Sequence, residues 1–134
     1  MVHTDAVPDV TPITGELQTQ IMAAIWRLGG GTVEHVRTAL PPRYRGAYNT
    51  IQTVLNRLAE RGLLSRHKVG NAIEYRPRLS EADYISRAIS QTLAAASMDA
   101  RQAALAQLIG TLDKDELADL QQLARDMSEK RRKR

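Results

Sequence analysis

The sequence predicts a mainly α-helical chain with one small β-hairpin, and three observations carry that expectation. Apolar residues recur at helical spacing through most of residues 13–130. The period changes to short extended runs only between about 63 and 77, on either side of a Gly-Asn pair. Glycines, prolines and capping residues cut the remainder into helices of ordinary length. With 134 residues the chain suits one domain, or two small ones sharing a core.

Residues 1–12, with two prolines and two aspartates, read as a disordered leader. Thr14 or Gly15 can then cap a helix whose apolar face is Leu17, Ile21, Met22, Ala24, Ile25 and Leu28, with Trp26 at its margin. Gly29, Gly30 and Gly31 stop it; no Lys-Ser/Thr pair follows at the spacing a phosphate loop needs. Thr32 caps a short helix with Val33, Val36 and Leu40 apolar, closed by Pro41 and Pro42. The next helix, about 47–61, places Ala47, Ile51, Val54, Leu55 and Leu58 within about 100° of one another. Two helices joined by a short connector make a helix-turn-helix.

The far side of the 47–61 helix is unusual. It carries Asn49, Gln52, Thr53 and Asn56, flanked by Tyr48, Thr50 and Arg57, where a solvated helix would show Glu and Lys. Amides and hydroxyls can pair with base edges in a major groove, and Arg43 and Arg45 just ahead can hold phosphates. This second helix can also offer its N-terminal N–H groups to a phosphate, while the first packs behind it, and Thr32 at the start of the first is a further candidate DNA contact. The extended runs at about 63–77 flank Val69-Gly70-Asn71-Ala72, and Gly in the first central position suits a type II′ hairpin. Arg66, Lys68, Arg76 and Arg78 make this hairpin a basic wing suited to the sugar-phosphate backbone, with Asn71 in its turn a further candidate contact.

Ser80 and Asp83 open a new helix with Tyr84, Ile85, Ala88, Ile89, Leu93 and Ala96 apolar. Asp99 starts a second with Leu105, Leu108, Ile109 and Leu112, and Asp113 caps a third with Leu117, Leu120, Ala124 and Met127. Each is amphipathic but alanine-rich, so a second copy of the chain is expected to complete their burial, chiefly on Ile85, Ile89, Leu93, Leu105, Leu108, Ile109, Leu112, Leu117, Leu120 and Met127. The expected organisation is therefore a leader at 1–12, a winged helix-turn-helix at 13–79, a three-helix C-terminal dimerisation module at 80–130 and a basic tail at 131–134.

Charge follows the same division. Residues 1–79 are net +4, residues 80–130 net −4, and the last four residues add +4. A basic first half points to a polyanion, and the near absence of aromatics argues against single-strand binding by base stacking, leaving double-stranded DNA. Zero cysteine excludes disulfides and thiolate metal sites. His3, His35 and His67 are isolated from one another, and no nucleophile-elbow or zinc-protease spacing is present, so neither an enzyme nor a metal or other cofactor is expected. No run approaches the ~18 apolar residues of a membrane span and the first residues do not form a signal peptide, so the expected compartment is the cytoplasm.

The runs LQTQIMAAIW, AYNTIQTVLNRLAERGLLSR and YRPRLSEADY together resemble the penicillinase-repressor family over roughly residues 15–85. The resemblance implies a homodimeric winged-helix repressor that covers an inverted-repeat DNA operator. By position it puts Tyr48, Asn49, Thr50, Gln52 and Thr53 on the recognition helix with Arg57 beside them. It also implies a regulator, a membrane sensor protease, in the beta-lactam branch. The Asn-Phe cleavage pair of that branch and the cysteine cluster of the copper branch are both missing here, since the chain has neither Phe nor Cys. Two other readings stand beside this one: a winged-helix repressor switched by a small-molecule effector, and a winged-helix module that docks a protein.

Overall fold

The computed structural model describes residues 7–133. Six helices and a three-stranded antiparallel sheet follow in the order α1 (Glu16–Leu28), β1 (Gly31–Thr32), α2 (Val33–Ala39), a 3-10 turn (Pro42–Tyr44), α3 (Tyr48–Glu60), β2 (Leu64–Val69), β3 (Ala72–Pro77), α4 (Glu81–Ala94), α5 (Met98–Gly110) and α6 (Lys114–Arg132). The chain divides into two compact units, one ending at Gln91 and one starting at Thr92. The division falls inside α4 and not ahead of residue 80, because Tyr84 and Ala88 in the first part of α4 pack against the core of the first unit.

That core is built by the helical periods read above. Ile21, Ala24 and Ile25 of α1, Val36 of α2, and Ile51 and Leu55 of α3 are wholly buried, joined by Leu40, Leu63, Leu64 and Tyr75. Three members of the apolar faces expected for the first three helices are not fully buried: Leu17 is half-buried, Leu28 is exposed at the last position of α1, and Ala47 is the exposed N-cap of α3. Gly29 takes the left-handed conformation, φ 76°, that ends α1. Strand β1 is an addition to the expected pair; it has only two residues, too few to show a period, and pairs Gly31 with Tyr75 and Thr32 with Glu74.

The hairpin register runs outward from Val69↔Ala72 through Arg66↔Tyr75 to Leu64↔Pro77. Gly70 has φ 63° and Asn71 a negative φ, which fits a type II′ turn and not the type I′ alternative.

The ends of the chain differ from expectation. Residues 1–6 of the expected leader lie outside the described residues. From Pro8 onward the leader is held: the Asp9 N–H donates to the Arg61 carbonyl at 2.8 Å, Arg61 donates to the carbonyls of Asp9 and Thr11, and Val10 joins the core. One apolar residue and one cation opposite are enough to fix it, and neither forms a pattern in sequence. At the other end Arg131 and Arg132 continue α6 and Lys133 is its C-cap, where cations meet the negative end of the helix dipole; residue 134 lies outside the described residues.

In the second unit, Ser97 and not Asp99 caps α5, accepting from the Ala100 N–H at 3.2 Å, with Asp99 in the first turn. Asp113 and Glu116 form a reciprocal capping box at the start of α6. None of the described residues from Thr92 on is buried, and Leu105, Leu108, Ile109, Leu120, Leu123 and Met127 are exposed. In the first unit, Ile85 and Ile89 of α4 are exposed as well.

Candidate nucleic-acid interface

Helix α3 is anchored by Ile51, Val54, Leu55 and Leu58 and turns Tyr48, Asn49, Thr50, Thr53 and Arg57 outward, with Gln52 and Asn56 half-buried at the margins. Alone among the six helices it has no acidic residue in its first turn, and its N-cap Ala47 supplies no side-chain acceptor. The first N–H groups and the positive end of the helix dipole are thus left without a local anion. The Thr53 hydroxyl donates to the Asn49 carbonyl at 2.9 Å, so toward a third partner it offers lone pairs and a methyl group.

The turn ahead of α3 is tied down by arginines. Arg37 Nε donates to the Gly46 carbonyl at 2.9 Å, and Arg45 Nε to the Leu40 carbonyl at 2.9 Å. Arg43 lies 4.6 Å over the Tyr44 ring and donates to its hydroxyl, which in turn donates to Glu16 Oε2 at 2.9 Å. Arg43 and Arg45, expected from the sequence as phosphate ligands, therefore each have a partner within the protein.

Alternation sorts the charges of the hairpin onto two faces. Leu64, Arg66 and Lys68 share a face with Tyr75 and Ile73, while Ser65, His67, Glu74 and Arg76 occupy the other. The first face is the one turned to α3, because the Tyr75 hydroxyl donates to Asn56 Oδ1 at 2.7 Å and Arg66 Nη1 to the same atom at 3.1 Å. Burial pushes the Tyr75 hydroxyl above the ordinary phenol range against the opposing pull of Arg66, which keeps it a donor. Arg66 and Lys68 thus stand beside the polar face of α3. Arg76 is on the opposite face, its Nε 2.6 Å from Glu74 Oε1, and Asn71 is at the exposed tip. Thr32 is at the other edge of the sheet, its hydroxyl accepting from the His35 N–H and its own N–H donating to His35 Nδ1.

Two residues escaped the sequence reading. Tyr75 was legible only by counting outward from the hairpin turn, which sets it opposite Arg66. Leu123, three residues beyond Leu120, extends the exposed apolar side of α6. No helix among the described residues is long and apolar enough to cross a membrane.

The model of the penicillinase repressor family matches residues 14–126. The chain is 32% identical over 74 residues to the penicillinase repressor of Bacillus licheniformis, covering 55% of this chain and 58% of that protein, so it spans less than two thirds of that relative. It is 33% identical over 104 residues to the transcriptional regulator BlaI of Mycobacterium tuberculosis, covering 76% of this chain and 75% of that one. Among solved structures, the DNA binding domain of the repressor BlaI is similar at 29% identity and a TM-score of 0.49, over 58% of this chain and 94% of that one.

Proposed function

The chain belongs to the penicillinase repressor family, and from that premise we propose that it is a cytoplasmic transcriptional repressor that binds a two-fold symmetric DNA operator as a homodimer. The observation that carries this reading is α3: an outward face of Asn49, hydroxyls and one arginine, edged by the half-buried amides of Gln52 and Asn56, on the one helix of six whose first turn holds no acid. Such a face suits the major groove, where Asn49, Gln52 and Thr53 can meet base edges while the first-turn N–H groups meet a phosphate. Arg66 and Lys68 then fall on the flanking backbone. Arg76, paired with Glu74 on the far face, and Thr32, occupied with His35, are assigned lesser parts.

The dimer is supported by the exposed apolar residues of α4, α5 and α6, which need a second copy for burial, and two-fold operators are read by two-fold proteins. The test is a selection of preferred sites from randomised duplexes, followed by titration of variants. Gln52→Ala or Thr53→Ala should weaken the selected site by about 1–3 kcal/mol and leave mixed-sequence duplex unchanged. Lys68→Gln should weaken both alike and lower the salt slope by about 0.9 for each subunit in contact. If neither Gln52→Ala nor Thr53→Ala alters affinity for the selected site, α3 is not the reading element.

A further inference from the structure

We infer that Asn56 is a positioning residue that fastens Arg66 of the wing to the recognition helix, and that toward DNA its amide can only donate. The inference rests on the DNA-binding reading above and goes beyond it in giving helix and wing one shared joint. Chemistry settles which Asn56 atom faces the wing: a guanidinium has five N–H groups and no acceptor, so the atom 3.1 Å from Arg66 Nη1 is the carbonyl oxygen. The same oxygen is 2.7 Å from the Tyr75 hydroxyl. Tyr75 is 2% exposed and fixed in the core, and it stands directly across the hairpin from Arg66. The two donors therefore converge on one acceptor from neighbouring strands.

Two consequences follow. An amide oxygen has two lone pairs and both are engaged, so Asn56 cannot make the two-point pairing that distinguishes adenine, which needs an acceptor and a donor together. What remains is its N–H pair, which suits a phosphate oxygen or an acceptor on a base edge. For Arg66, restraint by Asn56 removes in advance part of the rotamer freedom that a phosphate contact would otherwise cost. The guanidinium keeps its other N–H groups for the phosphate.

The experiment is a double-mutant cycle on the full chain, read by fluorescence anisotropy with a 20-base-pair mixed-sequence duplex across a salt series. Beside Asn56, Arg66→Gln should weaken binding roughly fivefold to tenfold at about 0.1 M salt and lower the salt slope by about 0.9 for each subunit in contact, the loss of one phosphate contact per subunit. In an Asn56→Ala background the same change should cost less than about twofold, with the slope already lowered. Tyr75→Phe keeps the ring in the core and serves if Asn56→Ala unfolds the chain; beside it, Arg66→Gln should cost less than half its fold-change in the unaltered chain. Equal fold-changes for Arg66→Gln in all backgrounds would overturn the joint. A strict preference for adenine over guanine in selected duplexes that disappears with Asn56→Ala would overturn the donor-only assignment. Failure of the unaltered chain to bind any duplex is a separate result and would overturn the DNA-binding reading itself.

Discussion

Asp9 shows how little is needed to fix a chain end. Its carboxylate accepts from the Thr11 N–H at 3.0 Å and faces Arg61, whose Nε is 3.4 Å away. The Thr11 bonds, with a smaller contribution from Arg61, hold its carboxyl below the usual carboxylate range. A lowered value means that the unfolded chain takes up the proton first, so this contribution is present above the ordinary Asp range and is lost as pH falls through the folded value. The difference in melting temperature between the unaltered chain and Asp9→Asn should therefore shrink as pH is lowered below about 4. A gap that widens on acidification contradicts the assignment. Asp9 is exposed, so the effect is small in any case. Neither this strap nor the Asn56 joint was legible beforehand. The sequence shows residue types and faces, and Asn56 read from type and face alone is a base contact; its engagement with Tyr75 depends on how the hairpin lies against α3, which no local period encodes.

At the scale of elements, legibility tracked length. Helices α1, α3 and α6 each repeat their apolar period several times, and their bounds agree with the pattern within a residue or two. Strand β1 has two residues and no period, and the start of α5 was ambiguous because Ser97 and Asp99, two positions apart, are both good caps. The hairpin was legible through one glycine. Gly70 has φ 63°, and a Cβ added there meets no atom within 4 Å, so only backbone conformation opposes a side chain. Gly70→Ala should cost about 1 kcal/mol in equilibrium unfolding. The larger consequence belongs to the wing: it should weaken mixed-sequence and selected duplexes by a similar factor, since the residues it displaces hold backbone and not bases. A stability loss without any change in duplex affinity would show that the wing tip takes no part.

For the whole molecule, charge and exposure divide at two different places, charge after residue 79 and exposure at Thr92. The basic first unit carries the polar helix, and from Thr92 on no described residue is buried. Leu108→Asp should convert the proposed dimer into monomer in sedimentation experiments while leaving the melting of the first unit unchanged, because Leu108 is exposed and outside that unit's core. A dimer that survives Leu108→Asp together with Leu120→Asp places the interface elsewhere. The fold class and the sequence of elements were legible at this scale because they follow from period and punctuation; the extent of exposure was not, since an amphipathic helix looks the same in sequence whether its partner lies within the chain or in another copy. That unburied apolar surface also bears on dosage. If the paired form alone occupies DNA, then wherever single chains predominate its abundance rises as the square of the total, and a doubling of synthesis yields about four times the occupying species by mass action. A promoter under such control would respond to its repressor's copy number as a threshold and not in proportion.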